Sequence, residues 1–314
     1  MTRFLIDTDT AGDDVTSLLF ALRWPGVTLE AVTVVAGNVY LEQAVTNALL
    51  TVEVAGRSEI PVFAGCDEPL SRPLVTAHYV HGSDGMGEST FPPPSKQAQR
   101  EHAVDAIVEC ANRYPDDLEI IAQGPLTNIA RALSIDPELG RKVARLWIMG
   151  GANNSLGNIT PAAEFNFYVD PEAAHAVLRG RFEAVIVPWD VCVRDGTLLA
   201  EELAPVVEMD SMLSRFYFAV NRSAWDFMRE HPKGPGVDGV SHPDSLMMAM
   251  AIDPSVIAAS GRYFVDVECA GELTRGYSSV DLMGFTDQPP NAEIVLRADK
   301  ERFTEMLIQM LATG

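Results

Sequence analysis

Asp7-Thr8-Asp9-Thr10-Ala11-Gly12-Asp13-Asp14 sets four carboxylates within eight residues near the start of a 314-residue chain. Like charges packed this closely repel, so a compact fold holds them together when something cationic sits between them. The residues before the stretch, Phe4-Leu5-Ile6, are apolar and β-prone, and Val15, Leu18, Leu19 and Leu22 after it have helical spacing. The acids therefore fall on a strand-to-helix turn, where open α/β sheets bind their ligands. Taken singly, Asp13 and Asp14 read as first-turn acids facing a helix dipole. That reading leaves Asp7 and Asp9 at the same turn unexplained, and a divalent metal site accounts for all four. Oxygen donors alone select calcium or magnesium over zinc.

Outward from the turn, strand and helix alternate. Val27 to Val35 is β-branched and largely apolar, as in a buried parallel strand, and a helix follows over Leu41 to Ala55. Further strands are expected at Ile60 to Ala64, Leu118 to Ala122, Leu146 to Met149 and Val185 to Val187. Helices are expected over Ala98 to Tyr114, after Gly124-Pro125-Leu126-Thr127-Asn128, and after Asp170-Pro171, an N-cap followed by proline at the first turn. Gly65 to Ser95 and Ala152 to Val169 read as long loops, a length that is usually functional or disordered. Helices over Leu198 to Arg229 and Asp244 to Ile252, strands at Tyr263 to Glu268 and Ala292 to Leu296, and a helix from Lys300 complete the reading. No repeat, low-complexity tract or linker divides the chain, so residues 1–314 are expected to form one α/β domain. Its Rossmann-like core would be an open, mainly parallel sheet flanked by helices, with the active site at the carboxyl ends of the strands.

Each strand end in this scheme delivers polar residues: Asp7 and Asp9, Asn38, Thr127, Asp190 and Asp244. In a parallel sheet those ends lie on one edge. Asn158, Glu164 and Asn166 in a glycine-bearing loop suit a polyhydroxyl ligand such as a sugar, or else bond to loop backbone. An EF-hand starting at Asp7 fails, because its fifth position is Ala11 and its twelfth Leu18. A magnesium-dependent aspartyl-phosphate phosphatase also begins strand-Asp-x-Asp, with Asp7 as nucleophile. It needs a downstream lysine, and lysine occurs only at Lys96, Lys142, Lys233 and Lys300. Dinucleotide, NTP and serine-hydrolase motifs are absent.

The formal net charge of −21 argues against nucleic acid or an anionic membrane as partner. No apolar run approaches the roughly 18 residues of a membrane helix. Cys66, Cys110, Cys192 and Cys269 show no paired spacing and read as reduced, and Met1-Thr2-Arg3 leads straight into a strand. The expectation is a cytoplasmic protein.

With these residues in view, the chain resembles the inosine-uridine preferring nucleoside hydrolases. Asp7-Thr-Asp9-x-x-x-Asp13-Asp14, Val34-Val35-Ala36-Gly37-Asn38, His81-Gly82-x-x-Gly85-Met86-Gly87 and Gly124-Pro125-Leu126-Thr127-Asn128 occur in the family's order. Met149-Gly150-Gly151, Gly157-Asn158 through Glu164-Phe165-Asn166, Asp170-Pro171-Glu172 and Asp244 follow. The resemblance implies an enzyme that hydrolyses ribonucleosides to free base and ribose, in nucleoside salvage. It implies Ca2+ held by Asp9, Asp14, the main-chain carbonyl of Thr127 and Asp244, with Asp7 supporting the cluster. Asp9 would be the general base toward a metal-bound water attacking the anomeric carbon. Asp13, Asn38, Met149, Asn158, Glu164 and Asn166 would hold the ribose. The partner is a small ribonucleoside and the assembly a homo-oligomer, dimer or tetramer.

This chain departs from the family pattern at its leaving-group position. Some members place a histidine immediately before the late aspartate, and here that residue is Pro243, with His242 one further back. His81, Trp225, Phe227, His231 and His242 are the candidates for contact with the base. A non-catalytic nucleoside- or sugar-binding protein on the same fold is the alternative from another class.

Overall fold

The computed structural model describes residues 2–313. Its strands are β1 (Thr2–Thr8), β2 (Val27–Val34), β3 (Val62–Ala64), β4 (Leu118–Ala122), β5 (Arg145–Met149), β6 (Ala184–Val187), β7 (Thr197–Leu199), β8 (Gly239–Ser241), β9 (Ile257–Tyr263), β10 (Val265–Val267), β11 (Ser278–Val280) and β12 (Ala292–Ala298). Eight of them form one sheet in the order β3-β2-β1-β4-β5-β6-β12-β9, parallel except for β9 at the edge. This is the open, mainly parallel sheet the alternation predicts. β1 is central, paired with β2 on one side and β4 on the other.

The helices are α1 (Asp13–Arg23), α2 (Leu41–Val54), α3 (His78–His81), α4 (Ala103–Arg113), α5 (Thr127–Ile135), α6 (Leu139–Lys142), α7 (Phe165–Val169), α8 (Pro171–Leu178), α9 (Trp189–Asp195), α10 (Ala204–Met209), α11 (Met212–Glu230), α12 (Pro243–Ile252) and α13 (Lys300–Leu311). Alternation along β1 sends Phe4 and Ile6 into a core shared with α1, α2, α11, α12 and α13. It sends Leu5 into a second core, under α4, α5 and α8. Both faces of the sheet are covered, which is why its strands read as continuous apolar runs.

Several boundaries move. Leu198 lies on β7, which pairs antiparallel with β8 outside the main sheet, so the helical region begins only at Ala204. The two long loops carry the single-turn helices α3 and α7. The helix expected from Ala98 starts at Ala103, where His102 supplies the cap. The strand expected at Tyr263 to Glu268 is two strands in different sheets, with β11 as an unexpected partner for the second. Among the described residues, no helix is long and apolar enough to cross a membrane.

Candidate active site

Between β1 and α1 the chain turns within four residues, and Gly12 makes that possible. Its φ of +51° is costly for any residue with a Cβ, and a Cβ there would meet the ring of His81 at 2.7 Å. The turn buries its acids: Asp7, Asp9 and Asp14 are at most 1% exposed and Asp13 5%. Thr8 Oγ1 donates to Asp14 Oδ1 (2.7 Å), and Gln123 Nε2 donates to the same oxygen (3.2 Å). Asn38 binds two acids, donating its main-chain N–H to Asp9 Oδ2 (2.6 Å) and its amide to Asp14 Oδ2 (3.2 Å). Asp7 sits below them, its Oδ1 accepting from Thr33 Oγ1 (2.7 Å) and Asn128 Nδ2 (2.8 Å).

Burial is the main force on their ionisation. It pushes Asp7 and Asp13 up to about 7 and raises Asp14. Asp9 and Asp244 are driven well above the carboxylate range by burial and then by the neighbouring acid Asp14. No ion pair among the described residues relieves this repulsion. As the side chains stand, no three described His, Cys, Asp or Glu groups close on a common metal position. Three buried carboxylate oxygens nevertheless have no hydrogen-bond partner: Asp7 Oδ2, Asp9 Oδ1 and Asp244 Oδ1. Unpaired acceptors at this depth are costly, and all-oxygen donors of this kind suit a hard cation. The donor set fits such an ion in its chemistry.

Asp244 reaches the cluster on the first turn of α12, just after β8 of the two-stranded side sheet, rather than from a strand of the main sheet. Asp13 holds it there. Asp13 Oδ2 accepts the N–H groups of Asp244 (2.7 Å) and Ser245 (3.0 Å), and its Oδ1 accepts the Ser245 hydroxyl (2.5 Å). Helix α12 has no cap of its own, so a carboxylate from α1 caps it. Glu164 is equally occupied: it binds the N–H groups of Gly151, Asn166 and Phe167, so it caps α7 while burial pushes it up to about 7. Asn166 donates its amide to the Met149 carbonyl (3.0 Å). Thr127 is buried, and its hydroxyl donates to Asp170 Oδ2 (2.7 Å).

Above these groups opens a cavity of about 700 Å3. Of the expected residues, Asp13, Asp14, Asn38, Met149, Asn158 and Glu164 line it. Asn166, Asp244, His81, Phe227 and His231 line it as well. Asp9, Asp7 and Thr127 are buried and do not line it. Three expectations change. His242 is wholly buried outside the cavity, its Nε2 paired with the Tyr217 hydroxyl (2.6 Å) and its Nδ1 with the Gly196 carbonyl (3.2 Å). Trp225 turns away, donating its indole N–H to Asp238 (2.8 Å). Asp190 serves the backbone of Asn153 (2.9 Å) rather than the acid cluster.

The cavity also recruits Tyr79, Gln123, Trp189 and Asn221, which the sequence reading passed over. Gln123 had a visible signal, since it directly follows strand Leu118 to Ala122 on the ligand-binding edge. Tyr79 and Asn221 had none, because their helices meet the cavity only through tertiary packing.

Comparison with known proteins shows the family and the fold. A family model described as inosine-uridine preferring nucleoside hydrolase matches residues 4–305. An uncharacterized protein of Schizosaccharomyces pombe is 37% identical, with 98% of each chain covered. The pyrimidine-specific ribonucleoside hydrolase RihA of Citrobacter koseri is 35% identical, covering 98% of this chain and 97% of its own. The solved structure of a plant nucleoside hydrolase, PpNRh1, superposes with a TM-score of 0.94 at 30% identity, covering 100% of this chain and 99% of that one.

Proposed function

The chain belongs to the inosine-uridine preferring nucleoside hydrolase family, whose reaction is hydrolysis of the ribonucleoside N-glycosidic bond, and we propose that here the reaction depends on calcium. The observation that carries this reading is the set of unpaired, buried carboxylate oxygens at the base of a nucleoside-sized cavity. Asp9, Asp14, Asp244 and the Thr127 carbonyl would hold the ion. Bound there, calcium would orient a water and acidify it. Asp9, whose Oδ1 has no hydrogen-bond partner, would be the general base toward that water. Asp7 backs the cluster from below, fixed by Thr33 and Asn128.

The ribose lies across Asn38, Asn158, Glu164 and Asn166, with Met149 against its ring. Asp13 faces a ribose hydroxyl while it caps α12. Polar groups matched to hydroxyls reject deoxy analogues, because their partners would be left unpaired in a buried site. The base extends toward His81, Phe227 and His231. We place the enzyme in the cytoplasm as a homo-oligomer serving salvage, a setting its free cysteines suit.

The test is release of reducing sugar from purine and pyrimidine ribonucleosides, with and without a calcium chelator. Ribose released only with metal, and lost in Asp9→Ala, is the expected result. Release that survives chelation refutes the calcium requirement. Binding without any release would make the protein a nucleoside-binding module.

A further inference from the structure

A base leaving ribose carries away the electron pair of the C1′–N bond, and a donor placed on it lowers the barrier. The cavity and its surroundings hold three histidines for this task. His242 is sealed against Tyr217 and Gly196. His81 lines the wall, but its Nδ1 is buried without a partner and turned toward Gly12. His231 is different. Its ring stacks on Phe227, with centroids 4.6 Å apart and planes inclined by 24°, and Phe227 meets Tyr79 edge-on at 5.9 Å. His231 Nδ1 accepts the main-chain N–H of Lys233 (3.1 Å), which fixes the neutral tautomer with its proton on Nε2. No hydrogen bond among the described residues engages Nε2, and the ring lines the cavity.

We infer that His231 is a catalytic residue of this chain, donating its Nε2–H to the departing base in place of the histidine displaced by Pro243. The inference rests on the nucleoside hydrolase reading above. As the water oxygen bonds to C1′, the C1′–N bond breaks and its electron pair goes to the base. The water's proton passes to Asp9, and solvent later protonates the base and receives the proton from Asp9. His231 acts as a hydrogen-bond donor and keeps its own proton throughout, because a neutral imidazole that gave it up would become an imidazolate anion.

The test compares His231→Phe and His231→Gln on the best ribonucleoside and on p-nitrophenyl riboside, whose leaving group is stable as an anion. His231→Phe keeps the stack on Phe227 and removes the donor. It should lower kcat/KM on the ribonucleoside by about 10- to 100-fold, the value of one hydrogen bond to developing charge. On p-nitrophenyl riboside the rate should stay within about two-fold, and His231→Gln, which retains an N–H, should recover part of the loss. Equal losses on both substrates, or no loss on the ribonucleoside, would overturn the inference. Should the Phe variant misfold, His231→Asn, whose shorter amide falls short of the base, is read in the same way. A wild-type protein that cleaves neither substrate would instead refute the hydrolase reading itself.

Discussion

Replacing Gly37 with alanine tests whether backbone proximity, and not only the acids themselves, builds the site. A Cβ at Gly37 would lie 2.1 Å from Asp9 Oδ2, 2.8 Å from Pro125 Cδ and 2.9 Å from Asp9 Cβ. Ordinary contact begins near 3.4 Å. Asp9 must therefore retreat by about 1.3 Å, since the repulsive wall at 2.1 Å is prohibitive. Its Oδ2 is bonded to the next residue, Asn38, at 2.6 Å, and that bond cannot survive such a shift.

Overpacking costs about 1–3 kcal/mol and loss of the bond to a buried carboxylate about 1.5–3 kcal/mol, together about 2.5–6 kcal/mol. For a chain this long, each kcal/mol lowers Tm by about 1.5 °C, so the melting point should fall by about 4–9 °C. A general base displaced by about 1 Å should lose about 100-fold in kcat. Thermal melts and ribose release on Gly37→Ala, beside Gly124→Ala, supply the assay. The alanine methyl at position 124 meets Asp9 at 3.1 Å, so that variant should lose less on both counts. Wild-type stability and turnover in Gly37→Ala, or a worse outcome for Gly124→Ala, would refute the reasoning.

Two further predictions concern the buried histidine. Tyr217→Phe removes the hydroxyl that serves His242 Nε2 and should destabilise the fold by about 1–3 kcal/mol in denaturant melts, with kcat nearly unchanged. A collapse in kcat at unchanged stability would return His242 to the chemistry. Burial also holds the His242 ring at about 4, against 6.5 for an exposed histidine. Between those values the unfolded chain binds more protons than the folded one. His242 therefore contributes its full stability above pH 6.5 and loses it as pH falls toward 4, in total about 3 kcal/mol. The NMR titration of its ring should show no transition until close to pH 4, and a midpoint near 6.5 would contradict the buried placement.

The parts of this site that could be read in advance are those the chain builds locally. Asp9, Asp13 and Asp14 sit on one strand-turn-helix, so their convergence follows from spacing and an apolar flank on each side. Asn38 and Gln123 follow strands β2 and β4, and the parallel order of the sheet brings those ends to the same edge. Trp225 and His242 could not be placed this way. Trp225 follows Ala224 on α11, and a rotation of one residue about the helix decides between cavity and solvent. His242 lies two residues from Asp244, yet the backbone turn at Pro243 aims it into the core.

By itself the sequence determined the α/β class, the acid turn and the polar loop of Asn158, Glu164 and Asn166, because hydrophobic period and residue chemistry are properties of neighbouring positions. Tertiary structure decided the rest. Asp13 caps α12 from 231 residues away, which makes one carboxylate both a wall of the cavity and the anchor of Asp244. Of three histidines, packing sealed His242 against Tyr217, left His81 Nδ1 without a partner and set His231 on Phe227 with Nε2 free. Such assignments depend on which donors and rings happen to meet across distant segments, and only the folded chain brings them within hydrogen-bonding reach.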